Sequence, residues 1–254
     1  MTDQLVETSP QVYARIGGVL YLIIIAFGLF AEGFVSDKLI VSGDAAATIQ
    51  NIIASQSLWR TGVIANMIMP LCAVGLLLVE YVLLRPVSKN LVLLAVFFNL
   101  VSLSVEAISK LFLVAVMHPL GNADYMKAFD PRQLQALAFL ALKSHDVAFN
   151  IALIFFGCTC IINGYLIFKS RYLPRLVGIL LQIAGACYLI ACFAALFAPA
   201  FFDLISPAIL IPSFIGESSF CLWLLVKGVD VPRWRQRANL NATRGGFTPR
   251  TAEH

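Results

Sequence analysis

Charge is what this sequence has least of: only 13% of its 254 residues are Asp, Glu, Lys or Arg, where a soluble domain carries about 25%. Histidine is scarcer, with three in the chain. There is no Gly-rich phosphate loop, no H-E-x-x-H, no dinucleotide fingerprint and no triad spacing. The common soluble enzyme classes are therefore left without their chemistry. No basic stripe is interleaved with aromatics, so nucleic acid is not an expected partner. Six cysteines occur, all inside apolar segments, and Cys158-x-Cys160 has neither metal nor redox spacing. They read as small packing residues, and no disulfide, metal site or cofactor is expected.

What is abundant is apolar. Hydrophobic residues make up 60% of the chain and the mean hydropathy is +0.86. The apolar residues gather in six segments: Ile16–Val35, Thr61–Leu84, Leu91–Met117, Asp146–Phe168, Leu173–Ala198 and Ile205–Val226. Each reaches the ~18–20 residues that cross a bilayer's ~30 Å of hydrocarbon. Backbone polar groups in lipid must bond within their own segment, so each is expected to be an α-helix. The expected fold is all-α: a polytopic membrane protein, a six-transmembrane-helix bundle with the lipid bilayer as its surroundings. The first segment is too long for a secretory signal and follows an acidic, not basic, Met1–Tyr13, so it is kept as a span.

Lys and Arg fall unequally on the two sides of such a bundle. Twelve lie on the side of the termini and of the second and fourth loops, among them Arg15, Arg85, Arg171 and Arg237, against five on the other side. The excess is expected to be cytoplasmic. This places both termini in the cytoplasm of a multi-pass protein of the cell membrane. The division expected is an N-terminal tail over 1–13, a transmembrane domain over 14–229 and a basic tail over 230–254. That tail, poor in apolar residues, is expected to be disordered or to lie along an anionic leaflet.

Two outer connections are long and amphipathic. In "VSGDAAATIQNIIASQ" Asp44 is a plausible N-cap, and Ala45, Ile49, Ile52 and Ile53 share a face. "FDPRQLQALAFLALKSHD" offers Asp130 as N-cap with Pro131 at the first helical position. Both are expected as helices that lie on the outer face or lid the bundle. Trp59 and Arg60 are expected to anchor the second span at the outer interface.

The stretches "DAAATIQNI", "EYVLLRPVSKN", "GYLIFKSRYLPR" and "PSFIGESSFCLWLLVKGV" occur in this order. In order and spacing they resemble the bacterial membrane proteins grouped as domain-of-unknown-function family 4386. The similarity covers roughly Ala14 to Val229, and Arg85-Pro86, Leu173-Pro174-Arg175 and Gly216-Glu217 are its most distinctive matches. It implies a helical membrane fold and no particular activity. Asn66 stands where many relatives carry an acidic residue.

Ionisable side chains at membrane depth are costly, about 2.5–3.5 kcal/mol on insertion scales, so they are expected to face the bundle interior. On the third span Asn99, Ser102, Glu106, Ser109 and Lys110 follow one another at helical spacing as a polar stripe. Glu106 and Lys110 can neutralise each other while Lys110 snorkels to the interface, or they can face a ligand. At ~1.5 Å rise per residue, Glu106 lies ~22 Å above Leu91, Glu217 ~15 Å above Lys227 and Glu32 ~24 Å above Ile16. Glu32, Glu106, Lys110 and Glu217 can therefore converge if their helices are neighbours. Pro207 and Pro212 should kink or fray the outer half of the sixth helix. Glu217 is expected to be protonated, hydrated or paired with Lys110 or another cation. His145, Asp146 and Asn150 sit at the outer surface, where Asp146 can cap the fourth helix. His145 and His118 are too far apart in sequence to suggest zinc. Glu80 is expected to pair with Arg85, and Gly178, Gln182 and Gly185 form a small-residue packing stripe.

The ligand-pocket candidates are thus Glu32, Asn99, Ser102, Glu106, Lys110, His145, Asp146, Asn150 and Glu217, with no catalytic and no metal residue assigned. A carrier or sensor for a small polar or cationic ligand, with its pocket in the outer half, is the expected function. A structural or partner-binding scaffold needs only packed helices. An intramembrane enzyme would have to use the outer carboxylates and histidine. The pattern leaves oligomerisation open.

Overall fold

The computed structural model describes residues 9–120, 124 and 128–245, the last five as backbone only. All six apolar segments form helices long and apolar enough to cross a membrane: Pro10–Leu39, Gln56–Leu84, Lys89–Ala115, Pro131–Ser170, Arg175–Phe197 and Ala208–Val226, hereafter the first to sixth spans. No strand occurs among the described residues. Several spans begin earlier than their apolar runs because the caps lie outside them. Ser9 caps the first span ahead of Pro10, and the Ser88 hydroxyl accepts from the Leu91 amide ahead of the third.

Each span packs against its neighbours in sequence, and the sixth closes against the first. The result is a ring in which consecutive spans are neighbours. Gln11 fastens the closure: its side chain donates to the Lys227 carbonyl at 3.0 Å and accepts from the Val229 amide at 2.9 Å. The N-terminal end of the first span and the C-terminal end of the sixth therefore lie together.

The fourth and fifth spans come closest. A methyl group added at Gly164 would lie 2.6 Å from the Gly178 carbonyl oxygen, and one at Gly178 equally close to that of Gly164. Gly157 and Gly185 repeat this contact one level along. The small-residue stripe is thus used inside the bundle. Gly164→Ala should cost about 1–3 kcal/mol, because rigid backbone must move apart. Elsewhere in a helix the same change gains up to about 1 kcal/mol, so the sign of the shift in thermal unfolding midpoint is diagnostic.

Several expectations need correction. The amphipathic stretch after Asp130 is not a separate lid. It continues without a break into the fourth span as one 40-residue helix, roughly 60 Å long. No proline interrupts it after Pro131, and a capping box of Asp130 with Gln133 starts it. Asp146 is consequently mid-helix and caps nothing; it pairs with Lys143 at 3.0 Å. The 45–54 helix forms as expected, with the Asp44 carboxylate accepting from the Ala47 amide. Its buried face is Thr48, Ile49 and Ile52, while Ile53 is exposed. Trp59 is not an interfacial anchor but is buried at 3% exposure.

The first span loosens into a π-helix over Leu29–Ser36. Before the sixth span the chain breaks at Ser206-Pro207, and Pro212 opens the helix Ile211–Val226. Val231–Gly245, expected to be disordered or to lie along an anionic leaflet, is a helix. Trp234 holds it: the ring is buried and its Nε1 donates to the Leu83 carbonyl at 3.1 Å. The expected tails over 1–8 and 246–254 lie outside the described residues.

Candidate functional site

At mid-depth the ring encloses a cavity of about 150 Å³ to which all six spans contribute a wall residue. Along the second span it runs from Met69 to Glu80, some 16 Å. Its polar wall is Glu80, Asn99, Ser102, Glu106 and Glu217; its aromatic wall is Tyr21, Phe149, Phe156 and Tyr188. No Lys, Arg or His stands in that wall among the described residues.

Each carboxylate is held differently. Glu217 is clamped by two phenols: Tyr21 donates to Oε2 at 3.1 Å and Tyr188 donates to Oε1. Gly216 makes this possible by letting the sixth span seat on the Leu180 carbonyl of the fifth. A carboxylate offers about four acceptor sites, so two remain. Glu80 accepts from Asn163 Nδ2 at 3.0 Å and is 8% exposed; its expected partner Arg85 does not pair with it. Glu106 lies 3.7 Å from the Lys110 ammonium. Asn99 adds a buried side-chain oxygen with no protein partner. Ser102 is spoken for, its hydroxyl donating to the Ala152 carbonyl of the fourth span at 2.8 Å.

Lys110 does not snorkel outward. At 2% exposure it turns inward, donates to Asn66 Oδ1 at 2.8 Å and stands 4.5 Å over the Phe149 ring. Pro70 lacks the N–H that would bond to the Asn66 carbonyl, which loosens the second span at this level. Beyond Lys110, on the outer side, lies a second cavity of about 30 Å³, room for one water. Glu32, Trp59, Asn66, His145 and Asp146 line it. Glu106 and Phe149 face one cavity and Asn66 the other, so Lys110 is the partition.

The candidates thus divide. Asn99, Ser102, Glu106 and Glu217 share the central cavity, and Glu32, His145 and Asp146 the outer one. Asn150 lines neither and donates to the Asp146 carbonyl at 2.8 Å. Glu217 and Lys110 do not pair. His145 is buried with Nδ1 at 3.1 Å from the Ser109 carbonyl; a carbonyl only accepts, so Nδ1 carries the proton. No three His, Cys, Asp or Glu among the described residues group as a metal-ligand set, and all six cysteines are free. Tyr21, Tyr188, Asn163 and Glu80 were missed as site residues. The usable signal was Tyr188 itself, a tyrosine far from either interface, where this residue normally collects.

The model of the family described as Domain of unknown function (DUF4386) matches residues 16–228. The chain belongs to this family. It is also 28% identical over 153 residues to an uncharacterized protein of Archaeoglobus fulgidus, covering 58% of this chain and 72% of that one. No solved structure matches it.

Proposed function

We propose that this chain is a multi-pass protein of the cell membrane, both termini cytoplasmic, that binds a small organic cation in its central cavity as a carrier or sensor. One observation carries the reading: three carboxylates and a partnerless amide oxygen face a single space, and Lys110 at its rim is the one cation beside them among the described residues. Such a lining is rich in acceptors, so its natural occupant is a donor of positive charge. Aromatic faces at the same site suit an ammonium with an apolar body. A cavity of this volume takes about a benzene-sized molecule, which limits the ligand to roughly six heavy atoms.

The orientation rests on the Lys and Arg excess at the end where the termini meet. A partner-binding scaffold is less favoured, because the small-residue stripe is consumed between the fourth and fifth spans. An enzyme is less favoured because no hydrogen bond joins His145 to a serine, threonine or cysteine side chain among the described residues; its Nδ1 donates to the Ser109 carbonyl, and Nε2 is the nitrogen left to act as a base.

The test is thermal unfolding of the purified full chain in neutral detergent with n-butylammonium, butanol or butyrate. Butylammonium alone should stabilise, by about 2.7 kcal/mol at a hundredfold excess over its Kd. Equal shifts with butanol, or a larger one with butyrate, would remove the cationic ligand from the reading.

A further inference from the structure

At the end of the bundle that carries the termini, a cleft of about 330 Å³ opens between the turn after the fourth span and the C-terminal helix Val231–Gly245. Its walls are Ser170, Arg171, Arg233, Gln236, Arg237 and Leu240. Three arginines therefore line one space, with no acid in the lining among the described residues. Asp230 takes only the Nε of Arg233, at 3.2 Å, so the cleft keeps a net positive charge.

The cleft is built on fixed ground. Tyr172 and Trp234 both donate to the Leu83 carbonyl, at 2.6 and 3.1 Å, which ties the turn and the helix to the second span. Burial raises the Tyr172 phenol above its ordinary value, and the Arg237 guanidinium partly offsets this. Arg233 Nη1 donates to the Arg171 carbonyl at 3.4 Å. Arg171 itself has φ 65°, ψ −3°, a left-handed conformation that side-chain-bearing residues avoid. Such strain tends to be kept where a site needs it. Guanidinium forks match phosphate oxygens in pairs.

We propose that this cleft binds a phosphate group, carried by an anionic lipid headgroup or by a soluble phosphate. The bound group bridges Arg171 on the turn to Arg233 and Arg237 on the helix and staples the helix to the bundle. The site is independent of the central cavity.

Isothermal titration of the full chain in neutral detergent tests this with inorganic phosphate and dioctanoyl phosphatidylglycerol, and with dioctanoyl phosphatidylcholine as zwitterionic control. At least one anionic probe should bind and phosphatidylcholine should not; binding by phosphatidylglycerol alone assigns the lipid, and binding by inorganic phosphate the soluble ligand. Arg171→Asn tolerates the left-handed backbone; combined with Arg237→Gln it should weaken binding roughly 25-fold, about fivefold for each charge. Lys169→Gln, whose ammonium rests over Tyr165 at 5.7 Å, should change it less than about twofold. Should the double variant fail to fold, Arg237→Lys keeps the charge but loses the fork and should bind more weakly than the unmodified chain. Absence of binding by both anionic probes, equal loss in Lys169→Gln, or undiminished binding by Arg237→Lys overturns the site.

Discussion

Lys110→Met is expected to lower the stability of the bundle by about 3–5 kcal/mol, the scale of breaking a buried ion pair from one side. The ammonium has three partners: Asn66 Oδ1 at 2.8 Å, Glu106 at 3.7 Å and the Phe149 ring at 4.5 Å. Methionine matches the stem in length and apolar character, so the change removes the charge and little packing. Glu106, 15% exposed, is then left without a counter-ion, and Asn66 Oδ1 loses its donor. Thermal or detergent unfolding of the single variant measures the loss. The double variant Glu106→Gln with Lys110→Met should recover part of it, since groups in contact couple by about 0.5–3 kcal/mol. A single variant as stable as the parent, or a double variant no better than the sum of the singles, would show that the two groups do not act as a pair.

The third-span stripe was legible because residues three and four apart share a helix face without any knowledge of the neighbours. The ring was not legible, because residue spacing gives each helix its polar face and not which helices are its neighbours. What surrounds Glu217 was not legible. Its two phenols stand 196 and 29 positions away, and Tyr188 is hidden in the run "GACYLIACF". Sequence shows near neighbours first and so suggests Arg85 for Glu80, while its partner Asn163 is 83 positions off. Composition marks the edge of the hydrocarbon at Asp146, and the helix does not end there. Likewise Val231–Gly245 is polar overall, and a narrow apolar face of Val231, Trp234 and Ala238 is enough to seat it on the bundle.

Glu217→Gln should weaken binding of an alkylammonium about tenfold to hundredfold, the 1.5–3 kcal/mol attached to a hydrogen bond with a charged group. The substitution preserves shape, so the cavity and the contact of Gly216 with the Leu180 carbonyl should persist. It changes the chemistry at two points. The charge that would meet the ammonium disappears, and the amide can accept from one of Tyr21 and Tyr188 but must donate to the other. The Glu106→Gln variant should lose less affinity, because the Glu106 charge already faces Lys110. Tyr188→Phe separates clamp from charge: it leaves the carboxylate and one phenol, so binding should fall less than with Glu217→Gln while stability falls by about 1–3 kcal/mol. Titration calorimetry and thermal unfolding on the same three variants yield the two orders independently. If Glu217→Gln binds the amine as the parent does while Tyr188→Phe lowers stability alone, the clamp holds helices together and the carboxylate meets no ligand.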